Sequence, residues 1–354
     1  MPRSDQIVQF GVLYLGGTIG CAGQPLAPLP ADVFLPQLAT LIESELVSTQ
    51  NPSQWHYFSG NIKDSSALVP DDWSETLALL LNPEYAQIQH WIILHGTDTL
   101  AFTAAFLSEA LRGNDLKVMV TGSQVPLLDP IKLTLNPNSD ALNNIKIAYA
   151  ALIDQSVLDN GWVRVAFNQQ HWAADSVQKI HTTEYAAFSG QIKSAHNNPI
   201  ETPKRNTLTH NLSHLKEALT QLNIQIYYTS PLPLEILIAQ LEHVLMSGAE
   251  AVILLAYGLG NFPDDLRIHR ALLAAEQRGV MVILGTQVPF GGVESRYAAG
   301  NWLAACGVLS GGSLALPAIF ARLAWLQITA NTYTERRQLW LKEMGQEYNT
   351  TFVH

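Results

Sequence analysis

The chain has 354 residues, of which 47% are hydrophobic and only 14% charged, with a formal net charge of -10. A charged share so far below the ~25% typical of soluble proteins calls for a sizeable core or for subunit contacts, and the acidic balance argues against a nucleic-acid partner, which needs a basic face. Two cysteines, Cys21 and Cys306, are too few for a disulfide framework or a metal cluster, and no leader pattern or apolar run of ~20 residues points to secretion or membrane insertion, so a cytoplasmic protein with no membrane partner is expected.

In chain order, Ile7 to Leu15 is a strand-like run that ends in Gly16-Gly17-Thr18-Ile19-Gly20. Trp73 to Leu81 has helical spacing. Trp91 to Leu94 is a short apolar strand running into His95-Gly96-Thr97-Asp98-Thr99, followed by a helix over Leu100 to Leu111. Leu116 to Val120 is a strand leading to Thr121-Gly122-Ser123-Gln124, Leu142 to Leu152 a helix, and Val163 to Phe167 a strand. Pro199 to Ser213 is polar and lacks apolar periodicity, which marks a linker. Beyond it come a strand over Ile224 to Tyr228, a helix over Leu234 to Met246 and a strand over Ala251 to Leu255. A helix over Leu266 to Arg278, a strand over Val280 to Leu284 and a helical tail over Leu314 to Tyr348 follow. Short apolar strands alternating with amphipathic helices predict parallel sheets covered on both faces. The predicted architecture is α/β: a larger N-terminal parallel-sheet domain, flavodoxin-like or Rossmann-like, over 1–198, a linker over 199–221, and a smaller C-terminal α/β domain over 222–354.

Thr18 and Thr97 both fall where a parallel sheet places ligands, at the carboxyl ends of strands. A threonine hydroxyl needs a neighbouring base or proton relay to act as a nucleophile; the other reading of Thr18 is a capped strand-to-loop turn. The loop His95–Thr99 sets two hydroxyls and a carboxylate before a helix start, where backbone N–H groups favour developing negative charge. Asp98 could accept bonds from a substrate ammonium, or Asp98 or Thr99 could simply cap the helix. His95 reads as a structural hydrogen-bonder. Lys179 is a surface residue or, if partly buried, a proton shuttle. Cys21 reads as a small buried residue rather than a nucleophile. A dinucleotide-binding protein fails on its own motif, since no G-x-G-x-x-G joins the first strand to a helix with an acidic residue ~20 positions on.

Together these motifs resemble the bacterial-type L-asparaginases, and among them the cytoplasmic type I branch. The resemblance covers nearly the whole chain. It rests on Gly16–Gly20, Asp64-Ser65-Ser66, His95 to Ala104, Val120 to Gln124, Ser139-Asp140, Asn144, Lys179 with Thr182-Thr183, Phe188, Tyr257-Gly258-Leu259-Gly260-Asn261 and Tyr297 to Gly300. It implies that Thr18 is the nucleophile and forms a β-aspartyl ester, with Lys179 the proton acceptor acting through Thr97, alongside Asp98. It implies that Ser65 binds the substrate α-carboxylate and Asp98 the α-ammonium, with Asp64, Ser66 and Gly96 lining the substrate site. No metal or organic cofactor is implied. The sites would be completed in a homodimer or homotetramer by a neighbouring subunit, through Asn261 and, less directly, Glu294 or Gln287.

The chain departs from the family's pattern in four places. The loop after the nucleophile, Cys21 to Pro30, holds no tyrosine; it is short and proline-rich, which predicts little opening motion. Ser65-Ser66-Ala67-Leu68 stands where Ser-Ser-Asp-Met is usual, Ala141 replaces a glycine, and Val288 replaces the type I cysteine, which speaks against a second regulatory asparagine site. These changes bear on rate and substrate range more than on reaction type. The competing readings are an amidohydrolase preferring glutamine or a modified asparagine, the amidase part of a tRNA-dependent amidotransferase, and a weakly active amino-acid-binding or regulatory protein on the same scaffold.

Overall fold

Residues Val8–Gly16 form strand β1, flanked on both sides by parallel neighbours, with Val8 exposed, Gln9 partly covered and every residue from Phe10 onward buried. Burial on both faces explains why its sequence is a nearly continuous apolar run rather than an alternating one. In the computed structural model, residues 7–47, 53–154, 161–192, 212–294 and 298–345 are described. They divide into two compact units, the second beginning at His214.

In the first unit, β1 is followed by a two-strand hairpin, β2 (Cys21–Ala22) and β3 (Ala27–Pro28), then α1 (Ala31–Glu45), β4 (Ser53–Lys63) and α2 (Pro70–Leu80). Next come β5 (His90–Leu94), α3 (Leu100–Ala110), β6 (Lys117–Thr121), α4 (Ala141–Ile153), β7 (Trp162–Phe167) and β8 (Gln170–Ala173). The sheet order is β4-β1-β5-β6-β7-β8, parallel except for β8, which runs antiparallel to β7. Counting only the parallel strands in chain order, this is second-first-third-fourth-fifth, the flavodoxin-like order. The strand order reverses at β1/β5, so the ligand crevice of such a sheet falls between the carboxyl ends of those two strands. One face packs Phe10, Val12 and Tyr14 against Phe34, Leu38 and Ile42 of α1 and Ile145, Ala148 and Leu152 of α4. α2 and α3 pack on each other, with Trp73 stacked on Phe106 at 4.8 Å. A second small hairpin, β9 (Gln178–Lys179) with β10 (Phe188–Ser189), follows β8.

The second unit holds β11 (Ile224–Tyr228), β12 (Ala251–Ala256), β13 (Met281–Thr286) and β14 (Leu309–Ser310), all parallel and in that order. Its helices are α5 (Leu212–Thr220), which begins just before His214, α6 (Leu234–Leu245), α7 (Leu266–Gln277), α8 (Ala298–Ala305), α9 (Leu316–Thr329) and α10 (Tyr333–Glu343). Val252, Leu254, Val282 and Leu284 meet Leu237 and Leu241 of α6 and Ile268 and Leu272 of α7.

The structure differs from the sequence reading in several elements. α1 and β4 have no counterpart in it. Residues 212–220, expected within the linker, form α5, whose apolar Leu215 and Leu219 are buried; residues 199–211 lie outside the described residues. The helical tail is two helices, since Ala330 leaves the helical conformation (φ -128°, ψ 129°) and Thr332 caps α10 by accepting from the Glu335 N–H. No helix among the described residues is long and apolar enough to cross a membrane.

Candidate active site

Three adjacent strands, β4, β1 and β5, each end in a loop carrying a predicted site residue: Ser65, Thr18 and Thr97. Thr18 opens a 3-10 turn, Thr18–Gly20, directly after β1 and is half-buried. Among the described residues its hydroxyl has no hydrogen-bond partner. Gly17 precedes it with φ +78°, a left-handed conformation that glycine takes freely. A Cβ on Gly17 would lie 2.2 Å from the Gly96 Cα, and one on Gly96 would lie 2.5 Å from the Ser65 Oγ. The three loops are thus in direct contact through Gly17, Gly96 and Ser65, and side chains on the two glycines would force them apart.

This contact yields a prediction. Gly17→Ala is expected to destabilise the first unit by about 1–3 kcal/mol, because backbone atoms cannot move aside as a side chain can, and to cut activity more than tenfold. Gly23→Ala is the control: it has a similar φ of +83°, but the nearest atom to its Cβ is 3.5 Å away. Thermal melts and ammonia release of the two variants separate packing from backbone strain; equal effects would remove the packing argument.

The β5 loop is anchored from behind. His95 is fully buried. Its Nδ1 lies 2.7 Å from the Gly96 carbonyl oxygen, which only accepts, so Nδ1 carries the proton. Nε2 then accepts from the Thr103 hydroxyl at 2.9 Å, and Thr103 accepts from Trp73 Nε1 at 3.0 Å. Burial lowers the His95 pKa to about 4, so the ring is neutral in the folded protein at pH 7. His95 is a structural hydrogen-bonder, as expected from sequence.

Facing outward, the same loop carries the polar group. Lys179 Nζ donates to Thr97 Oγ1 at 2.9 Å and to Asp98 Oδ1 at 2.7 Å. Thr97 is buried, whereas the Asp98 side chain is 57% exposed and open to a ligand. Ser65 is buried: its Oγ accepts from the Asp98 N–H at 3.2 Å, and its carbonyl accepts from Thr99 Oγ1 at 2.8 Å. Thr99 therefore ties the β5 loop to the β4 loop instead of capping α3. Asp64 caps the Ser65–Ala67 turn, accepting from the Ser66 N–H at 2.9 Å and the Ser66 hydroxyl at 2.8 Å. Those bonds hold its carboxyl below the usual range. Asp64 and Ser66 pair with each other at the exposed rim.

Gln124, Asp140 and Asn144, which the sequence reading named in its motifs without giving them a role, frame the loop that presents Lys179. Gln124 Nε2 donates to the carbonyls of Thr182 and Glu184 at 3.1 and 3.0 Å, within the loop joining β9 to β10. The Gln124 N–H donates to the Asp140 carboxylate at 3.1 Å, and Asn144 Nδ2 donates to Asp140 Oδ2 at 3.0 Å. Asp140 and Asn144 lie one helical turn apart, which is the signal by which this frame could have been read from sequence.

Cys21 is buried, its thiol donating to the Gly17 carbonyl at 3.2 Å and its pKa pushed up to about 11, by burial first and then by the Asp64 charge. It is not a thiolate nucleophile. Among the described residues, no group of three or more His, Cys, Asp or Glu side chains could hold a metal ion.

In the second unit, Asn261 follows β12 in a tight turn closed by mutual backbone bonds with Tyr257. Its side-chain amide has no hydrogen-bond partner among the described residues. The Gln287 amide is engaged within its own unit, donating to the carbonyls of Thr229 and Leu255 at 2.6 and 3.0 Å. Glu294 donates its backbone N–H to the Leu259 carbonyl. Tyr297 lies outside the described residues.

The chain matches the family described as "Asparaginase, N-terminal" over residues 9–211 and "Glutaminase/Asparaginase C-terminal domain" over residues 234–340. It is 27% identical over 329 residues to L-asparaginase 1 of Escherichia coli K12, covering 89% of this chain and 90% of that one. It is 26% identical over 324 residues to the L-asparaginase of Thermococcus kodakarensis, covering 89% and 91%. The crystal structure of L-asparaginase I from Vibrio cholerae superposes with a TM-score of 0.72 at 25% identity, covering 99% of this chain and all of that one. With both family domains matched in order along one chain, this protein belongs to the asparaginase family of amidohydrolases, and its similarity runs to the type I members.

Proposed function

We propose that this protein hydrolyses L-asparagine to L-aspartate and ammonia through an ester on Thr18. The observation that carries the reading is the Lys179–Thr97–Asp98 group, whose loop packs through Gly96 against the Gly17 that immediately precedes Thr18. In this reading the Thr18 oxygen attacks the side-chain amide carbon, and its proton passes through the Thr97 hydroxyl into the Lys179–Asp98 pair, which can hold one more proton. The oxyanion is held by backbone donors of the glycine loops. The C–N bond breaks as the nitrogen takes a proton and departs as ammonia. Water then attacks the ester, the same relay takes its proton, and Thr18 is restored. Asp98, open at the rim, accepts from the substrate ammonium, and Ser65 with neighbouring backbone N–H groups donates to its carboxylate. The protein acts in the cytoplasm as a homodimer or homotetramer, with Asn261 reaching a neighbouring subunit's site.

Ammonia release from L-asparagine, D-asparagine and L-glutamine over a concentration series tests this. Preferred turnover of L-asparagine is expected. Asparagine binding without turnover would make the protein a binder, and faster release from L-glutamine would change its substrate. A hyperbolic rate curve is expected with Val288 in place of the type I cysteine.

A further inference from the structure

The loop after Thr18 lacks the tyrosine expected of the family, and another tyrosine approaches it from beneath. Tyr14 lies on β1, fully buried, its ring against Phe34 at 4.5 Å. Its hydroxyl points at two carbonyl oxygens, Leu29 at 3.1 Å and Gly20 at 3.4 Å. Gly20 immediately precedes the β2–β3 hairpin and Leu29 immediately follows it, and the Leu29 N–H donates to the Gly20 carbonyl at 2.9 Å. The hydroxyl therefore sits under the base of the hairpin, at the residue that closes the Thr18–Gly20 turn. The fit is close: a Cβ on Gly20 would lie 2.2 Å from the Tyr14 oxygen. Further ties hold the same segment, from the Leu127 N–H to the Ile19 carbonyl, from the Gly23 N–H to the Pro130 carbonyl, both at 3.0 Å, and from the Cys21 thiol to the Gly17 carbonyl. Burial, and then the neighbouring Cys21, push the Tyr14 phenol above its ordinary pKa, so it remains a donor at neutral pH.

We propose that Tyr14 is a positioning residue that clamps the Thr18 turn and its hairpin from below, so that this chain works with a fixed loop. A hydroxyl held from beneath thus does part of what a lid closing from above does in other architectures: it restricts where the nucleophile points before substrate arrives. Tyr14 touches neither substrate nor the reacting atoms. The catalytic consequence rests on the reading of Thr18 as nucleophile; the clamp does not.

Tyr14→Phe removes the hydroxyl and keeps the ring. Two measurements are made on the full-length protein: amide hydrogen exchange over residues 20–29, and steady-state kinetics with L-asparagine. Exchange at Leu29 and along the hairpin is expected to rise about tenfold. The kcat is expected to fall about tenfold with KM changed less than twofold, since Ser65 and Asp98 lie on other loops and a small misplacement of the nucleophile is felt in the transition state. If Tyr14→Phe does not fold, Gly20→Ala perturbs the same contact from the other side and is read the same way. Unchanged exchange overturns the clamp whatever the activity. Raised exchange with unchanged kcat overturns the positioning role. A wild-type protein that does not turn over asparagine defeats the proposed function, and the exchange measurement still decides the clamp.

Discussion

Thr18→Ala is expected to lower kcat for L-asparagine by at least about 10³-fold, the scale of losing a nucleophile that works as a unit with its relay, while L-asparagine still binds. The variant is clean because the Thr18 hydroxyl has no hydrogen-bond partner among the described residues and its side chain is only half-buried, so no orphaned donor or acceptor is left behind. Ser65 and Asp98 lie on the neighbouring loops, so the groups read as binding the substrate's two charged ends stay in place. Lys179→Met is expected to cost about 10²–10³-fold, as removal of a general acid–base group does. It frees Thr97 from its donor and leaves Asp98 unpaired but largely in water, where the lost ion pair contributes under about 1 kcal/mol. Ammonia release is measured for both variants, with calorimetric titration of L-asparagine into Thr18→Ala. Equal turnover by wild type and Thr18→Ala would remove the acyl-enzyme reading.

The parts of the site that were legible in the sequence are those built on central strands. β5 is buried on both faces from Trp91 to Leu94, so it reads as an unbroken apolar run, and its abrupt end at His95-Gly96 marks the loop. β1 reads the same way up to Gly16. Ser65 had no such marker. It follows β4, an edge strand that pairs only with β1 and is nowhere fully buried. Its sequence, Ser53 to Lys63, mixes polar and aromatic residues with no clean alternation, and only the family resemblance singled out Ser65. α1 was hidden for a related reason, since Pro36 lies inside it and prolines at 25, 28 and 30 precede it.

Lys179 shows a different limit. Its strand is two residues long, too short for any periodicity to register. Its contacts to Thr97 and Asp98 span more than eighty positions of chain, and the loop that presents it is held by Gln124 from a third segment. No local pattern encodes such a convergence; it comes from the strand order, which brings the carboxyl ends of β5 and β6 side by side. Tyr14 was invisible for the opposite reason. It sits at a regular inward position of β1 between Val12 and the glycine turn, and nothing in the pattern distinguishes a core tyrosine from one whose hydroxyl meets the hairpin.

In the second unit, the largest expected stability effect lies at its C-terminal helix. Arg322 of α9 is 1% exposed, and its Nε lies 3.1 Å from Glu343 Oε2 at the end of α10, itself only 9% exposed. The guanidinium also lies over the Trp340 ring at 5.5 Å and donates to the Met344 sulfur at 3.2 Å. Trp340 Nε1 in turn donates to the Ser310 carbonyl of β14 at 3.0 Å. The ion pair thus fastens α10 onto α9 beside the edge of the sheet. Two buried charges gain little net stability over an apolar pair of the same volume, but removing one leaves the other without compensation, at about 3–5 kcal/mol. Glu343→Ala is therefore expected to lower the unfolding transition of this unit by that amount. Glu343→Gln, which keeps an acceptor, is expected to lose less. The double variant Arg322→Met, Glu343→Leu is expected to recover most of the loss, because no charge remains buried. Scanning calorimetry of wild type, the single variants Arg322→Met and Glu343→Leu, and their double variant reads the coupling directly. Losses that simply add in the double variant would mean that the two side chains act independently and that α10 is held by the packing of Trp340 and Leu341 alone.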